Sequence, residues 1–191
     1  MEDNKMLNYI KDVLKNMPTD WLNLTTHRLD IYDEKLAKIQ FLDQFDSLFQ
    51  KNDSESSRLS ELPTAFDYIR LGHPLSCILE WAIAKSINVK HENVISFSSK
   101  TIPVLAILRK NLLEKKKTQI VYTDELPDFF DIELLKKVYN YKFELKKVDN
   151  QSVVSEFNGS TIFISQQDDL FNFENTSNID FILNLHSHLG S

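Results

Sequence analysis

Apolar positions recur every three or four residues along two stretches at the start of the chain. In residues 4–17 they are Met6, Leu7, Tyr9, Ile10, Val13, Leu14 and Met17, and Pro18 ends the pattern. In residues 33–50, after Asp33 as a candidate N-cap, they are Leu36, Ile39, Leu42, Phe45, Leu48 and Phe49. This spacing predicts two amphipathic helices whose apolar faces belong to a core. A third helix is predicted at 75–87, where Pro74 begins a segment with a broad apolar face.

A polar stretch separates these first two helices from the rest. The segment KNDSESSRLSE, residues 51–61, is rich in serine and has no apolar period. Such composition is typical of an exposed linker. The sequence therefore predicts a helical N-terminal region with its linker at 1–60, and a second domain at 61–191.

From residue 93 onward, short β-branched or aromatic runs alternate with helical patterns. Helices are expected at about 102–116 and 131–140, with a shorter one near 151–157. Short apolar strands joined by helices are usually parallel and covered on both faces. We therefore predict an α/β fold with an open, mostly parallel sheet and helices on both faces, behind the helical N-terminal region. The predicted strands are VISFS (94–98), QIVYT (119–123), FELKKV (143–148), TIFIS (161–165) and FILNLH (181–186).

The first predicted strand ends in a polar turn, Ser98, Ser99, Lys100 and Thr101, which opens the next helix. Ligands of open α/β sheets bind beyond the carboxyl ends of the strands, and a helix N-terminus favours an anion. The turn is thus a candidate site for one phosphate group. The alternative stays open that Ser99 or Thr101 only caps the helix. With three glycines in the chain, there is no glycine-rich motif of the dinucleotide or P-loop type.

Four segments in this order resemble the early large domain of fold-type I pyridoxal-phosphate-dependent transferases, the aspartate aminotransferase and cystathionine-synthase type. They are LGHPLSCILEWAIAK, ENVISFSSKTIPVLAIL, TQIVYTDELPDFFDIELLKKVYNYKFELKKVD and STIFIS. The resemblance covers roughly residues 70–188. It implies pyridoxal phosphate as cofactor, with the phosphate held by a turn that follows a strand.

The resemblance also implies roles for individual residues. Ser98, Ser99, Lys100 and Thr101 match the phosphate turn, with Lys100 where a glycine or small residue is usual. Tyr122 and Phe129 lie near the place of the aromatic residue that stacks on the pyridine ring. Asn184 stands where an acid normally pairs with the pyridine nitrogen, and an amide lacks the charge that holds a pyridinium.

The Schiff-base lysine and the arginine that binds the substrate carboxylate are expected further along than these 191 residues reach. The resemblance therefore implies an incomplete scaffold with a phosphate-binding turn that lacks ordinary Schiff-base catalysis. Whether the chain is an enzyme stays open.

Other residue types with reactive side chains give weaker patterns. His186 and His188 have the spacing of two ligands on one side of a strand, with Asp168, Asp169 or Asp180 as further candidates, but we predict no metal site. Ser98 or Ser99 has the position of a hydrolase nucleophile but lacks its small neighbours. Cys77 lies in an apolar helix, where a thiol is inert. His73, beside Pro74, is predicted to start a helix.

Charge bears on partners and location. The formal net charge is −6, which gives no chain-wide attraction to nucleic acid or an anionic membrane, so we expect neither as a partner. The basic run Lys115, Lys116 and Lys117 is interpreted as a solvated helix end. One cysteine, an acidic start and no bilayer-length apolar run predict a cytoplasmic protein. The competing functional hypothesis is a non-catalytic acidic interaction protein, an immunity- or antitoxin-type inhibitor of a basic partner, or a homo-oligomer.

Overall fold

The computed structural model describes residues 2–22, 34–63, 73–168 and 177–186. The chain forms two compact units, Met1–Ile95 and Ser96–Ser191. The division lies after Ile95, whereas the sequence analysis placed a boundary after residue 60. The difference arises because the helix after the polar stretch shares a core with the N-terminal helices.

The first unit is helical. Its described helices are α1 (Glu2–Asn16), α2 (Glu34–Lys51), α3 (Ser56–Ser60) and α4 (Pro74–Ser86), with 3₁₀ turns at Thr19–Leu22 and His91–Asn93. The three amphipathic helices predicted from periodicity are confirmed within one or two residues at each end. Their buried faces meet around aromatic rings, as in the edge-to-face contact of Phe45 with Trp81 at 5.1 Å.

A buried ion pair lies within the same unit. Glu80 on α4 is 5% exposed and pairs with the ammonium group of Lys38 on α2. The same ammonium group donates a hydrogen bond to the carbonyl of Val94 at 3.0 Å. The hydrogen bond from Lys38 holds the segment at Val94 to α2. The ion pair gives the buried carboxylate of Glu80 the partner that it needs.

The polar stretch 51–61 is more ordered than an exposed linker. α2 continues to Lys51, and α3 occupies Ser56–Ser60. Leu59 is fully buried in the core of this unit. A single apolar residue among polar ones gives no periodic pattern, so α3 was not predicted from the sequence. The buried side chain of Leu59 nevertheless anchors this helix to the core.

The second unit contains a parallel sheet. Its described strands are β1 (Thr118–Tyr122), β2 (Glu144–Lys147), β3 (Ser160–Ser165) and β4 (Phe181–Asn184), in the order β2-β1-β3-β4. All neighbouring pairs are parallel, with Ile120 of β1 in register with Ile162 of β3. The predicted fold class, α/β with an open parallel sheet behind a helical N-terminal region, is confirmed.

Helical segments and turns cover the two faces of the sheet. Helix α5 (Ile102–Leu113) and the π-helical turn Leu134–Val138 pack on the face of Ile120, Ile162 and Ile164. Val154, next to the 3₁₀ turn Gln151–Val153, packs with Val121 and Phe163 on the other face. The chain moves in opposite directions from β1 to β2 and from β2 to β3. Right-handed connections in opposite directions lie on opposite faces, which matches this arrangement.

Several predicted elements differ from the observed ones. Residues 94–97, in the predicted strand VISFS, lie outside any helix or strand, and Ile95 is 65% exposed. A strand needs a neighbour, and the described sheet pairs only β1 to β4. The predicted helix 102–116 ends at Leu113, since Lys115 has the left-handed φ of 55°. The helices predicted at 131–140 and 151–157 shorten to a π-helical turn and a 3₁₀ turn.

The described helices include none with the length and apolar character needed to span a bilayer.

Candidate functional site

The sheet changes winding direction between β1 and β3. From β1 the chain goes to β2 on one side, and from β3 it goes to β4 on the other side. Loops diverge at such a point and leave a crevice beyond the carboxyl ends of the two strands, where ligands of open α/β sheets bind. We call the residues that follow the ends of the four strands the carboxyl edge. It is the candidate site.

Side chains tie the carboxyl ends of three strands together. Glu125, just after β1, accepts a hydrogen bond from the ammonium group of Lys147 on β2 at 2.5 Å. The backbone carbonyl of Glu125 accepts a second bond from the amide of Gln166, just after β3, at 2.7 Å. The hydrogen bond and ion pair with Glu125 raise the pKa of Lys147 above its usual value. Lys147 therefore stays a cation at neutral pH.

Asn184 closes the end of β4 against the loop after β3. Its side-chain oxygen accepts a hydrogen bond from the backbone N–H of Gln167 at 3.0 Å, and its amide donates to the carbonyl of Gln167 at 2.9 Å. Next to this pair, Nδ1 of His186 lies 3.8 Å from a carboxylate oxygen of Asp168. Both polar atoms of the Asn184 side chain are thus used in hydrogen bonds to the backbone of Gln167.

The serine turn (residues 98–101) lies at the same end of the sheet. Helix α5 leads through a short connection into β1, so the two run in opposite directions. Twelve helical residues rise about 18 Å, and five strand residues about 17 Å. The N-terminus of α5 is therefore level with the carboxyl edge. The sequence analysis expected the turn to end a strand, but residues 94–97 before it lie outside any helix or strand.

The N-cap residue of α5 is Thr101, whose own side chain makes no capping bond, and the hydroxyl of Ser99, two residues earlier, takes that role. The hydroxyl oxygen of Ser99 accepts hydrogen bonds from the backbone N–H groups of Thr101 and Ile102, both at 3.3 Å. The hydroxyls of Ser99 and Thr101 are 3.1 Å apart. Ser98 and Thr101 are exposed, while Lys100 is half-buried. Both bonds are long for N–H donors, so they restrain the amides less than an ideal cap does.

The predicted ligand residues fall on both faces of the sheet. Tyr122 is half-buried against the core on the α5 face, so the serine turn and Tyr122 share a face. Leu183 and Leu185 also face α5, which places Asn184 between them on the opposite face. Phe129 is exposed in the loop after β1. The structure places residues 98–101 and Tyr122 on one face of the sheet at the same end, and Asn184 on the other face.

Three polar residues of the carboxyl edge were missed by the sequence analysis: Glu125, Lys147 and Gln166. Each lies within three residues of the end of a strand. Polar residues at predicted strand ends were therefore the feature from which the sequence could have identified them. What the sequence did not give was the strand order, which makes β1 the neighbour of both β2 and β3.

The remaining candidates are accounted for by their contacts. Cys77 is buried, and burial raises the pKa of its thiol to about 12, which makes it inert. Nδ1 of His73 accepts a bond from the N–H of Leu75 at 3.2 Å, so the predicted helix-start role is confirmed. Asp180 accepts a bond from the N–H of Thr161 at 2.8 Å. Asp169 and His188 lie outside the described residues, among which no cluster of three metal-binding side chains occurs.

Comparison with protein-family models, with curated proteins and with solved structures finds no match for this chain.

Proposed function

We propose that the unit Ser96–Ser191 is a binding scaffold for a small molecule that carries one phosphate group, similar to the scaffold of pyridoxal-phosphate-dependent transferases. Pyridoxal phosphate is the first ligand to test. The observation that carries the proposal is the position of the serine turn. It lies at the carboxyl edge, on the face of Tyr122, beside the strand where the winding of the sheet reverses.

The serine turn supplies donors of the kind a phosphate needs. The backbone amides of Thr101 and Ile102 point to one oxygen, that of Ser99, at the positive end of α5. A phosphate oxygen carries more charge than a hydroxyl and makes shorter, stronger bonds with N–H donors. The exposed hydroxyls of Ser98 and Thr101 add donors at the same place, and Lys100 puts a cationic residue in the same turn.

Tyr122 is the residue proposed to contact the ring of such a ligand. It ends β1 on the same face as α5, so an aromatic ligand anchored at the turn lies against its side chain. Aromatic rings stack or meet edge to face, which gives a contact that does not depend on hydrogen bonds.

Binding is proposed without a Schiff-base step. Of the described lysines at the carboxyl edge, Lys100 belongs to the turn proposed to bind the phosphate, and Lys147 is held by Glu125, which raises its pKa. A Schiff base forms from the neutral amine, and a protonated, ion-paired lysine is a poor nucleophile. The chain's own residues therefore bind and orient the ligand in this proposal, and a catalytic role belongs to none of them.

The test compares pyridoxal phosphate with pyridoxal by calorimetric titration of the whole chain. If the turn holds the phosphate, pyridoxal binds about tenfold more weakly, because a hydrogen bond to a charged group contributes about 1.5–3 kcal/mol. Absorbance and borohydride trapping with peptide mass mapping then report any adduct. Equal binding of both compounds, or adducts scattered over surface lysines, would refute the proposal.

Matched variants locate the site. Thr101→Val removes a hydroxyl of the turn and is expected to weaken the binding of pyridoxal phosphate. Thr123→Val, at a half-buried threonine just after β1 that bonds its neighbour Asp124 at 3.1 Å, is the control outside the turn. If both variants lose the same affinity for pyridoxal phosphate, the ligand binds elsewhere on the carboxyl edge.

A second candidate function is the acidic interaction protein. It is favoured by exposed carboxylates in the loop after β1, namely Asp124, Glu125, Asp128 and Asp131. Such a cluster attracts a basic partner over long range. A partner that binds tightly, loses affinity with salt and is weakened by Asp124→Asn and Asp128→Asn would favour this function. A cytoplasmic location suits both proposals.

A further inference from the structure

The opposite end of the sheet collects lysines that are distant in sequence. β1 and β2 are parallel, with Gln119 in register with Glu144. Lys117 and Lys142 each come two residues before these partners, so both lie where adjacent strands begin. Neighbouring strands are about 4.8 Å apart. We call the residues before the starts of the strands the amino edge.

Further lysines approach the amino edge from both helical segments. Lys115 and Lys116 follow the end of α5, and Lys136 and Lys137 belong to the π-helical turn that leads towards β2. With Lys117 and Lys142 these form the amino-edge lysine cluster. All six are exposed. Helices that precede parallel strands end where those strands begin, which is why the cluster forms.

The acids near the cluster offset only part of its charge, and they include Asp180, which precedes β4 and contributes to the raised pKa of Lys116. Glu114 pairs with Lys116 at 2.8 Å and with Lys110 at 2.7 Å, and Glu133 pairs with Lys137. Lys136 lies over the ring of Phe143 at 4.9 Å, and Glu144 is exposed in β2. The ammonium groups of Lys115, Lys117 and Lys142 have no ion-pair or hydrogen-bond partner among the described residues. The edge therefore presents positive charge on a chain whose net charge is −6.

Large apolar side chains protrude beside these lysines. Leu113, at the end of α5, is 72% exposed, and Val138, at the end of the π-helical turn, is 70% exposed. Tyr139 is 48% exposed and stacks on Tyr141 with ring centroids 5.8 Å apart. Branched aliphatic residues and a tyrosine next to lysines are the composition of surfaces that lie in a lipid headgroup region.

The composition distinguishes a lipid surface from other anionic partners. Segments 113–117 and 136–143 contain no arginine and no tryptophan, whereas protein interfaces are enriched in both and depleted in lysine. Single-stranded nucleic acid is bound by rows of exposed aromatic rings, and its phosphates favour the planar guanidinium group. In segment 136–143 Tyr139 is exposed, while Tyr141 and Phe143 are buried. Clusters of four to eight basic residues beside apolar ones bind anionic lipid headgroups as point charges.

We propose that the amino edge docks the unit Ser96–Ser191 onto a membrane surface that contains anionic lipids. The lysine cluster binds the headgroups, and Leu113, Val138 and Tyr139 enter the boundary between headgroups and acyl chains. The sequence analysis expected no membrane partner because the net charge is negative and the run Lys115, Lys116 and Lys117 was interpreted as a solvated helix end. A surface contact depends on local charge and needs no membrane-spanning helix.

The test is flotation of the whole chain with phosphatidylcholine vesicles, with or without phosphatidylserine. Binding is expected only with phosphatidylserine and falls as salt rises. The triple variant Lys115→Asn, Lys117→Gln, Lys142→Gln is expected to bind about a hundredfold more weakly, since each lysine near an anionic surface contributes about fivefold. Asparagine is chosen at 115 because it accepts the left-handed backbone there.

The matched control removes three exposed lysines from the other unit, with Lys11→Gln, Lys15→Gln and Lys90→Gln. It changes net charge equally and is expected to bind vesicles like the unchanged protein. Circular dichroism confirms that both variants are folded. Equal loss in both variants, or equal binding to vesicles without phosphatidylserine, overturns the proposal. Binding to a single-stranded oligonucleotide but not to vesicles also overturns it.

Discussion

Ser98 and Ser99 are neighbours with different contacts. The hydroxyl of Ser99 accepts bonds from two backbone amides at the start of α5, while that of Ser98 is exposed and has no partner among the described residues. The predicted alternatives for this turn, a helix cap or an anion site, therefore compete for the same donors: a phosphate oxygen that binds the two amides replaces the hydroxyl of Ser99 as their acceptor.

Substitution separates the two serines. Ser99→Ala is expected to lower the free energy of unfolding by about 1 kcal/mol, because two amides lose their acceptor. Ser98→Ala, the matched control, is expected to change it little. Urea denaturation followed by far-UV circular dichroism measures both. An equal effect of the two substitutions would show that Ser99 does not cap the helix.

Asp46 makes the stability of the first unit depend on pH. Burial by itself raises the pKa of this carboxyl, but hydrogen bonds from Lys85 at 2.9 Å and Trp81 at 3.0 Å more than offset it, so the pKa is lowered. A lowered folded-state pKa means that the stabilisation is present above the unfolded pKa of about 4 and is lost as pH falls through the folded value.

Asp46→Asn therefore lowers the free energy of unfolding at neutral pH, and its deficit relative to the unchanged protein shrinks below about pH 4. Tryptophan fluorescence during urea denaturation is the measurement, because both tryptophans, Trp21 and Trp81, are buried in this unit. Asp43→Asn, on an exposed position of α2, is the control. A deficit that stays constant down to pH 3 would contradict the assignment.

At the scale of elements, periodicity and residue type predicted four strands and three long helices, in most cases because the apolar pattern reflects burial, although β2 is largely exposed. TIFIS is buried along its whole length as β3, and QIVYT aligns with β1. VISFS has the same local composition, but strand formation depends on a neighbour that local composition does not report. The same limit applied to the candidate site. The sequence placed Tyr122 and Asn184 at strand ends, while their faces depend on register and strand order.

α3 is an element that one side chain holds in place. Leu59 is fully buried, so Leu59→Ala is expected to cost about 3 kcal/mol through lost burial and the cavity left behind. Tryptophan fluorescence again reports the unfolding of this unit. Leu7→Ala, at a position of α1 that is 40% exposed, is the control and is expected to cost below about 1 kcal/mol. A small effect at Leu59 would support an unstructured linker at 51–61.

At the scale of the molecule, the net charge of −6 is an average over opposed segments. Residues 136–147 contain five lysines and one glutamate, while residues 151–191 contain no lysine or arginine. The strands carry only part of this difference to opposite ends: Lys117 and Lys142 precede β1 and β2 at the amino edge, whereas Lys147 ends β2 at the carboxyl edge and Asp180 precedes β4 at the amino edge. The sequence shows that lysines and acids are unevenly placed along the chain, but which of them share an edge of the sheet becomes visible only with the strand register.

The separation makes the two proposed activities of the second unit independent. The amino and carboxyl edges are a strand length apart, about 17 Å for β1. Saturating pyridoxal phosphate is therefore expected to leave vesicle flotation unchanged, and the triple lysine variant is expected to bind pyridoxal phosphate as the unchanged protein does. Calorimetry on the variant and flotation with the ligand measure the two arms. If the triple lysine variant no longer binds pyridoxal phosphate, the lysines of the amino edge bind the phosphate group. The serine turn is then not its binding site.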